Sequence, residues 1–250
     1  MNINELYIQI MQKPLPKHIG IILDGNGRWA TKRMLPRNLG HKKGVQTLKE
    51  IVKEVKNLNI PYLTVFAFST ENWKRPKDEV DYIMGELKKY YQTSLQKLIE
   101  NKIKVKFIGT RKNLSSDILM IIEDIEYQTR NFDGFILAIA FNYGSKEEIV
   151  DMVKKISTKV MNHEIMINDI NENVVSDNLY TSSFPPLDLV IRTSGEMRLS
   201  NFLLYQAAYA ELYFPKTLWP DFHKKELYLA IKEYQTRNRR FGGLKGWKKE

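Results

Sequence analysis

The feature that most constrains the fold of this chain is the alternation of short apolar runs with helical patterns. The apolar runs are rich in isoleucine, leucine, valine and phenylalanine and are too short to be helices, which is typical of buried strands. They predict strands at about 19–23, 62–68, 103–108, 135–140, 187–191 and 210–214. Between them, apolar residues at helical spacing predict helices at about 45–58, 76–98, 114–129, 147–160, 171–180 and 224–238.

Strands that alternate with helices form a parallel sheet with helices on both faces. We therefore predict an α/β fold with a central, mostly parallel six-stranded sheet flanked by helices. The chain has 250 residues, 43% of them hydrophobic, and this is enough for one sizeable core. It has no internal repeat or linker, so we expect residues 1–250 to form a single domain, with an N-terminal extension at 1–16 and a basic tail at 244–250.

Composition excludes several classes of protein. The chain has no cysteine, which excludes disulfides and thiolate metal sites. It has no signal-peptide pattern and no apolar stretch of the roughly 18 residues that suggest a transmembrane helix, so we expect a cytoplasmic protein. The formal net charge of +10 favours an anionic partner: nucleic acid, an anionic lipid surface or a phosphorylated substrate.

The first predicted strand ends at a polar, glycine-rich turn. Asp24 follows the apolar run, and the turn 25–27 (Gly-Asn-Gly) follows Asp24. Ligands of open α/β sheets bind at the carboxyl ends of the strands, where glycine lets the backbone approach them closely. Arg28, Arg37 and His41 come next, and one carboxylate beside several cations suits a diphosphate bridged by Mg²⁺. A surface turn with solvated charges could have the same residues.

Polar residues also follow other predicted strands. Ser69, Asn142 and Arg192 each lie at or just past the carboxyl end of a strand. Because these ends share one edge of a parallel sheet, we expect the three residues to lie near Asp24. Polar residues begin wherever strands stop, so this coincidence is weak by itself.

Longer motifs identify a family. The chain reads HIGIILDGNGRWA at 18–30, FAFSTENWKRPKDEV at 66–80, FNYGS at 141–145, DLVIRTSGEMRLSNFLLYQ at 188–206, AELYFPKTLWPDF at 210–222 and RRFGG at 239–243. In this order the motifs closely resemble those of the cis-prenyltransferases of the undecaprenyl diphosphate synthase type. The resemblance extends from about Lys17 to Gly243, which is nearly the whole chain.

The resemblance implies an activity. Cis-prenyltransferases use Mg²⁺ to condense isopentenyl diphosphate with an allylic diphosphate, usually farnesyl diphosphate at the start. The expected product is a long-chain polyprenyl diphosphate, with undecaprenyl diphosphate, the lipid carrier precursor for cell-wall synthesis, as the first choice and a shorter chain as the alternative. The absence of an aspartate-rich DDxxD motif argues against the trans-prenyltransferase class.

The resemblance also assigns site residues. It implies that Asp24 and Asn72 are catalytic and that Asp24 and Glu211 hold Mg²⁺. The residues that it implies for substrate binding are Gly25, Asn26, Gly27, Arg28, Trp29, Arg37, His41, Ser69, Thr70, Glu71, Trp73, Arg75, Arg192, Arg198 and Ser200. Asn72 is a poor base by itself, so the proton acceptor is either Asn72 or a diphosphate oxygen.

The same residues divide between two diphosphates. By resemblance, the turn 25–27 with Arg28 and Arg37 holds the allylic diphosphate. Arg192, Arg198 and Ser200 are implied to hold isopentenyl diphosphate, and arginine suits this role because its guanidinium is a bidentate donor.

The family also suggests an apolar tunnel for the prenyl chain and a homodimer. Ala67 is small, which favours a long product, and Phe135 either lies near the tunnel floor or simply packs the sheet. Arg240, Phe241 and Gly242 form the element that is implied to reach the partner's active site. The basic tail could contact an anionic membrane, where each cation contributes about 1 kcal/mol.

Some positions depart from the family pattern, and two other functions stay open. Ala138, Ser145 and Lys146 replace the asparagine, glycine and arginine of many members, which puts efficiency in doubt. A silent scaffold subunit would typically have lost the aspartate that this chain keeps as Asp24. A basic nucleic-acid-binding protein would fit the charge, but the sequence has no such motif, so we expect no nucleic-acid partner.

Overall fold

The computed structural model describes residues 2–237 and confirms the predicted single-domain α/β fold. The strands are β1 His18–Ile22, β2 Tyr62–Ser69, β3 Lys104–Ile108, β4 Ile136–Tyr143, β5 Leu189–Arg192 and β6 Glu211–Tyr213. They form one six-stranded sheet in the order β3-β4-β2-β1-β5-β6. Every neighbouring pair of strands is parallel, so the sheet is parallel throughout.

Eight α-helices lie within residues 2–237. They are α1 Ile3–Met11, α2 Asn26–Thr31, α3 Arg37–Asn57, α4 Lys77–Glu100, α5 Ser116–Thr129, α6 Ser145–Met161, α7 Glu172–Asp177 and α8 Lys224–Thr236. In this part of the chain none of them is both long enough and apolar enough to cross a membrane.

Successive side chains of the central strands point into different cores. Ile21 of β1 belongs to the larger core, which also contains apolar residues of α1, α3, α4, α5 and α8. Its neighbour Ile22 belongs to a smaller core, which also contains Phe202 and Leu203. Because both faces of the inner strands are buried, these strands are continuous apolar runs, as expected for a parallel sheet.

The N-terminal extension contains a helix that the sequence did not predict. Asn2 caps α1 through its side chain, and Leu6 and Ile10 are buried in the larger core. Gln235 of α8 donates its side-chain amide to the carbonyl of Ile10 at 2.8 Å. Only two residues of this helix are buried, and two apolar positions are too few to indicate a helix by their spacing.

Helices also occur around the first turn, where the sequence predicted none. Of the predicted turn 25–27, only Gly25 precedes α2, and Asn26 and Gly27 form the start of that helix. The next helix, α3, begins at Arg37 rather than near residue 45. The early part of α3 contains Gly40 and Gly44, which have low helix propensity. Both glycines are buried against α2, so a tertiary contact explains what local propensity does not.

The strand order places a switch point beside β1. From β1 the chain goes to β2 on one side, whereas β5 pairs with β1 on the other side. Open α/β sheets bind ligands in the crevice at such a point, outside the carboxyl ends of the strands. Asp24, Ser69 and Arg192 lie at the ends of these three strands. The predicted element 240–242 and the basic tail lie outside the described residues.

We expect His18, which is buried at the start of β1, to make the fold acid-sensitive. Its Nε2 lies 2.7 Å from the Thr64 hydroxyl, and its Nδ1–H donates to the Pro185 carbonyl at 3.1 Å. Burial lowers the pKa of His18 from 6.5 to about 4. Between these values the unfolded chain binds more protons than the folded one, so the free energy of unfolding should fall as the pH falls.

Urea denaturation at pH 7 and pH 5 tests this. His18→Gln cannot titrate, so its midpoint should change less between the two pH values than that of the wild type. Burial also lowers the pKa of His41, so part of the slope should remain in the variant. An undiminished pH dependence in His18→Gln would contradict the assignment.

Candidate functional site

A cavity of about 780 Å³ lies at the carboxyl edge of the sheet, bordered by the ends of β1, β2 and β5. It brings together most of the residues that the sequence implied for the site. Those that border it are Asp24, Gly25, Asn26, Gly27, Arg28, Arg37, His41, Ser69, Glu71, Asn72, Arg75, Arg192 and Ser200.

Other implied residues do not border this cavity. Trp29 donates its indole N–H to Asp221 at 2.7 Å, and Trp73 donates its own to Asn142 at 2.8 Å. Thr70 lies beside Glu71, and Arg198 points to Glu196 at 2.6 Å. Glu211 lies on the edge strand β6, where it pairs with Arg237 at 3.1 Å. Glu211 lies opposite Leu189 at the start of β5, whereas Asp24 follows the end of β1, and their implied metal site stays a prediction.

Asp24 lies between two arginines. Arg192 Nη2 donates to Asp24 Oδ2 at 2.9 Å, and Arg28 Nη2 donates to Asp24 Oδ1 at 3.0 Å. Burial by itself would raise the pKa of the Asp24 carboxyl, but the hydrogen bonds and charges of Arg192 and Arg28 lower it. Asp24 is therefore a carboxylate at neutral pH.

Arg192 is the most buried arginine of the site. Its side chain is only 6% exposed, and its Nη1 donates to the Ser200 hydroxyl and the Arg198 carbonyl, both at 2.6 Å. Its Nε is also buried and has no hydrogen-bond partner within residues 2–237. Arg192 thus fixes the loop that carries Ser200 relative to Asp24.

The turn 25–27 is packed tightly against α3. Gly25 has φ +110°, a conformation that favours glycine. A Cβ on Gly27 would lie 2.8 Å from the Arg37 guanidinium, and one on Gly40 would lie 2.0 Å from the Asn26 carbonyl oxygen. Asn26 donates its amide to the Leu23 carbonyl at 3.2 Å. The glycines therefore bring the turn and the arginine into direct contact.

Glu79 contacts several cationic side chains of the site, which the sequence did not predict. It lies in the first turn of α4, and one of its oxygens is 2.8 Å from Arg75, 3.5 Å from Arg37 and 3.7 Å from His41. Burial lowers the pKa of His41. The charges of Arg75 and Arg37 lower this pKa further, whereas the charge of Glu79 raises it. The i, i+4 spacing of Arg75 and Glu79 was the signal available in the sequence.

The loop 70–74 after β2 is held by Asn72 and Asn142. The Ser69 N–H donates to the Asn72 side-chain oxygen at 3.1 Å. Asn142 has a left-handed backbone, accepts the Trp73 indole N–H, and donates to the carbonyls of Thr110 and Lys112. Asn142 therefore supports the loop and does not border the cavity.

The interior of the cavity is apolar. Its walls are Val45 and Leu48 of α3, Ile83, Leu87 and Tyr90 of α4, Phe66, Ala67 and Phe68 of β2, and Ile139 and Phe141 of β4. The pairing of β2 with β4 shifts between Phe66 and Phe68, and Ala67 is the unpaired residue there. Phe135 does not border this cavity: it is 2% exposed in the larger core and borders another hollow, of about 540 Å³.

Several bordering residues were missed by sequence reasoning. Glu79, Lys146, Asn201, Leu204 and Trp219 all border the cavity. Trp219 donates its indole N–H to the Gly44 carbonyl at 3.0 Å, and its backbone N–H to the Asp24 carbonyl at 3.0 Å. Glu79 could be identified by its i, i+4 spacing with Arg75, whereas the other four were distinguished only by their position within the motifs at 141–145, 188–206 and 210–222, or just after one.

The arrangement suits an amphiphilic anion. Cations and the carboxylates of Asp24, Glu71, Glu79 and Glu86 surround the polar part of the cavity, and apolar side chains line the rest. Guanidiniums bind phosphate oxygens through paired hydrogen bonds, whereas the apolar walls gain free energy by covering a hydrocarbon chain. A diphosphate that carries an apolar chain meets both requirements.

Comparison with known proteins gives consistent results. The family described as "Putative undecaprenyl diphosphate synthase" matches residues 22–242. The chain is similar to an isoprenyl transferase of Streptococcus mutans, with 49% identity over 92% of this chain and 94% of that protein. An isoprenyl transferase of Clostridium perfringens is 46% identical over 95% of this chain and 94% of its own length.

Two solved structures have a similar fold. Lavandulyl diphosphate synthase from Lavandula x intermedia, in complex with dimethylallyl diphosphate, matches with a TM-score of 0.88 and 34% identity. The match covers 91% of this chain and 98% of that one. A probable undecaprenyl diphosphate synthase from Campylobacter jejuni matches with a TM-score of 0.77 and 34% identity, over 92% and 99% of the two chains.

The contact between Gly40 and Asn26 leads to a stability prediction. In Gly40→Ala the new methyl group would collide with the Asn26 carbonyl, so the backbone has to shift, and we expect the free energy of unfolding to fall by about 1–3 kcal/mol. Gly85→Ala is the matched control, because no atom lies within 4 Å of a Cβ at this exposed helix position. It should be neutral or stabilising by about 0.5–1 kcal/mol. Equal denaturation midpoints for the two variants would contradict the close contact.

Proposed function

The chain belongs to the undecaprenyl diphosphate synthase family of prenyltransferases, and we propose that it condenses isopentenyl diphosphate units with an allylic diphosphate. The proposed primer is farnesyl diphosphate, and the proposed product is a long-chain polyprenyl diphosphate, undecaprenyl diphosphate first. One observation carries the proposal: the charged carboxylate of Asp24 lies among arginines at a switch point that opens into an apolar cavity.

The two substrates are proposed to divide the polar rim. The turn 25–27, Arg28 and Arg37 would hold the allylic diphosphate, and its apolar chain would extend toward Ala67 and α4. Arg198 and Ser200 would hold isopentenyl diphosphate beside Arg192. In support, Arg37 begins α3, whereas Arg198 and Ser200 follow β5. Arg28 lies between these groups, because it donates to Asp24 and to Ser194 and Glu196 of the loop after β5.

The residues around Asp24 fit a bound Mg²⁺. This ion is usually held by one or two carboxylates together with substrate phosphates, and Asp24 is a charged, 26% exposed carboxylate that borders the cavity. When bound, Mg²⁺ would neutralise charge on the leaving diphosphate. Residues 2–237 contain no group of three or more His, Cys, Asp or Glu side chains that could hold a metal by themselves, so substrate oxygens would complete the site.

The reaction then needs charge stabilisation and positioning. The allylic C–O bond breaks, diphosphate leaves with the electron pair, and a carbon–carbon bond forms to isopentenyl diphosphate. Arg28 and Arg37 would stabilise the departing negative charge, because positioned cations contribute most where charge develops. The proton that isopentenyl diphosphate loses passes to Asn72 or to a diphosphate oxygen.

The proposal extends to assembly and location. We propose a homodimer that works at the cytoplasmic side of the membrane, with its excess of basic residues toward anionic lipid. The net charge of +10 supports the lipid contact. Sedimentation of the protein alone tests the homodimer, and sedimentation with vesicles of phosphatidylglycerol tests the lipid contact.

Product analysis tests the proposed activity. The protein is incubated with farnesyl diphosphate, labelled isopentenyl diphosphate and Mg²⁺, and the products are sized. A ladder that ends at a long polyprenyl diphosphate is expected. Absence of label transfer would favour a scaffold subunit, and a gel shift with steep salt dependence and no transfer would favour nucleic-acid binding.

Asp24→Asn should abolish most turnover. Asparagine keeps an oxygen that can accept from Arg192 but lacks the charge for Mg²⁺, so kcat should fall by about a hundredfold or more, the scale of losing one transition-state contact. Steady-state kinetics over a range of Mg²⁺ concentrations measures this, and thermal unfolding checks the fold. A folded variant with near-normal kcat would show that Asp24 does not act as proposed.

The small side chain of Ala67 should be necessary for long products. A leucine at this position would narrow the apolar part of the cavity, so Ala67→Leu should shorten the products while the first condensation continues. Phe135→Leu is the control, because Phe135 packs the core outside this cavity and its substitution should leave product length unchanged. Thin-layer analysis of the dephosphorylated products checks both variants. An unchanged ladder for Ala67→Leu would remove Ala67 from the path of the chain.

A further inference from the structure

The segment after β5 has an unusual backbone beside the candidate site. Ser200, Asn201 and Leu203 have φ values of +48°, +65° and +46°. Left-handed conformations are uncommon for residues other than glycine, and they persist where surrounding contacts determine them. Asparagine is among the residues that adopt them most readily, and here Asn201 makes the contacts that matter.

Asn201 uses its backbone and both side-chain atoms to connect this segment with two others. Its carbonyl accepts the Ser145 N–H at 2.8 Å, and its side-chain oxygen accepts the Lys146 N–H at 2.9 Å. Its side-chain NH₂ donates to Glu71 Oε1 at 2.8 Å. Two of these bonds cap α6, whose own N-cap residue, Gly144, has no side chain. The third reaches the loop 70–74 after β2.

The contact with Glu71 is charge-assisted. Burial by itself would raise the pKa of the Glu71 carboxyl, but hydrogen bonds, first of all that from Asn201, lower it. The Glu71 carboxylate is therefore charged at neutral pH and accepts from a neutral amide, which is among the stronger classes of hydrogen bond.

Gly144 leaves the space for this arrangement. A Cβ on Gly144 would lie 2.6 Å from the Thr70 hydroxyl and 2.7 Å from the Asn201 side-chain nitrogen. Three segments thus meet at this glycine: the loop 70–74, the start of α6, and the segment 200–203. A side chain at residue 144 would push Asn201 away from Glu71.

We propose that Asn201 is a positioning residue that couples the two halves of the site. Glu71 belongs to the loop beside the reacting centre, and Ser200, next to Asn201 in the chain, accepts from Arg192. Asn201 thereby fixes the distance between the loop after β2, which carries Asn72, and the loop after β5, which carries Ser200 at the proposed isopentenyl diphosphate position. This inference rests on the proposed function, because it concerns the alignment of the two substrates.

The first test removes the side chain without straining the backbone. Asn201→Gly keeps the left-handed conformation and loses both side-chain hydrogen bonds. Misaligned reactants slow the chemical step more than they weaken binding, so kcat should fall about tenfold or more, while the KM of each diphosphate changes less than about threefold. Asn113→Gly is the control, since Asn113 is an exposed left-handed asparagine outside the site.

A polarity swap separates positioning from capping. Asn201→Asp still accepts the Lys146 N–H but places a carboxylate against Glu71, so kcat should fall. In the double variant Asn201→Asp with Glu71→Gln, the glutamine can donate to the aspartate, so kcat should rise relative to Asn201→Asp alone. If Asn201 only capped α6, the effect of Asn201→Asp would be the same with either residue at position 71.

The outcomes are distinguishable. An active wild type with an equally active Asn201→Gly overturns this inference alone, as does an equal loss of kcat in Asn113→Gly, or the absence of coupling between positions 201 and 71. A rise in the KM of only one diphosphate at unchanged kcat would show local binding in place of positioning. A wild type that forms no prenyl product overturns the proposed function and this inference with it.

Discussion

The ion pair between Arg192 and Asp24 is the interaction on which the rest of the site depends. It joins the ends of β1 and β5 at the point where the strand order changes direction. The Asp24 N–H also donates to the Thr193 hydroxyl at 3.0 Å, so the two strand ends are held by backbone as well as side-chain contacts. Arg192 is buried whereas Asp24 is 26% exposed, so loss of Asp24 would leave a buried guanidinium without its charged partner, and the two residues constrain one another. The turn 25–27 and the loop that carries Ser200 then occupy fixed positions on either side.

The arginines of the site therefore have different roles. Arg192 is 6% exposed and already bonded to Asp24, Ser200 and the Arg198 carbonyl, which makes it a framework residue. Arg28, Arg37 and Arg198 are 44%, 62% and 61% exposed and pair with carboxylates that are 17–28% exposed. Pairs with an exposed partner contribute only about 0–1 kcal/mol, so the diphosphates of the proposed reaction would replace them at little cost. Glu196 contacts both Arg28 and Arg198 and so keeps two of these cations near each other before substrate binds.

The sequence predicted what local patterns determine. The apolar runs gave all six strands within a few residues, because the inner strands of a parallel sheet are buried on both faces. The sequence could not predict the start of α3, because Gly40 and Gly44 lower the helix propensity there. These glycines are explained only by their contact with Asn26 in the folded structure. The resemblance named most of the polar residues that border the cavity but not Glu79 or Asn201. Glu79 also contacts Arg37 and His41, and Asn201 contacts Glu71, and these contacts between residues distant in sequence depend on the folded arrangement.

The distribution of left-handed residues shows how the site is organised before a ligand binds. Asn59, Lys102 and His163 each lie just past the end of a helix, where this conformation is common. Ser194, Gly195, Ser200, Asn201 and Leu203 have no such explanation, because they lie in the loop that follows β5. Each of the four residues other than Gly195 costs on the order of 1–3 kcal/mol in this conformation, so the hydrogen bonds of Arg192 and Asn201 must hold this loop in place. The free-energy cost of ordering the loop is therefore offset during folding, so this cost does not reduce the free energy of substrate binding.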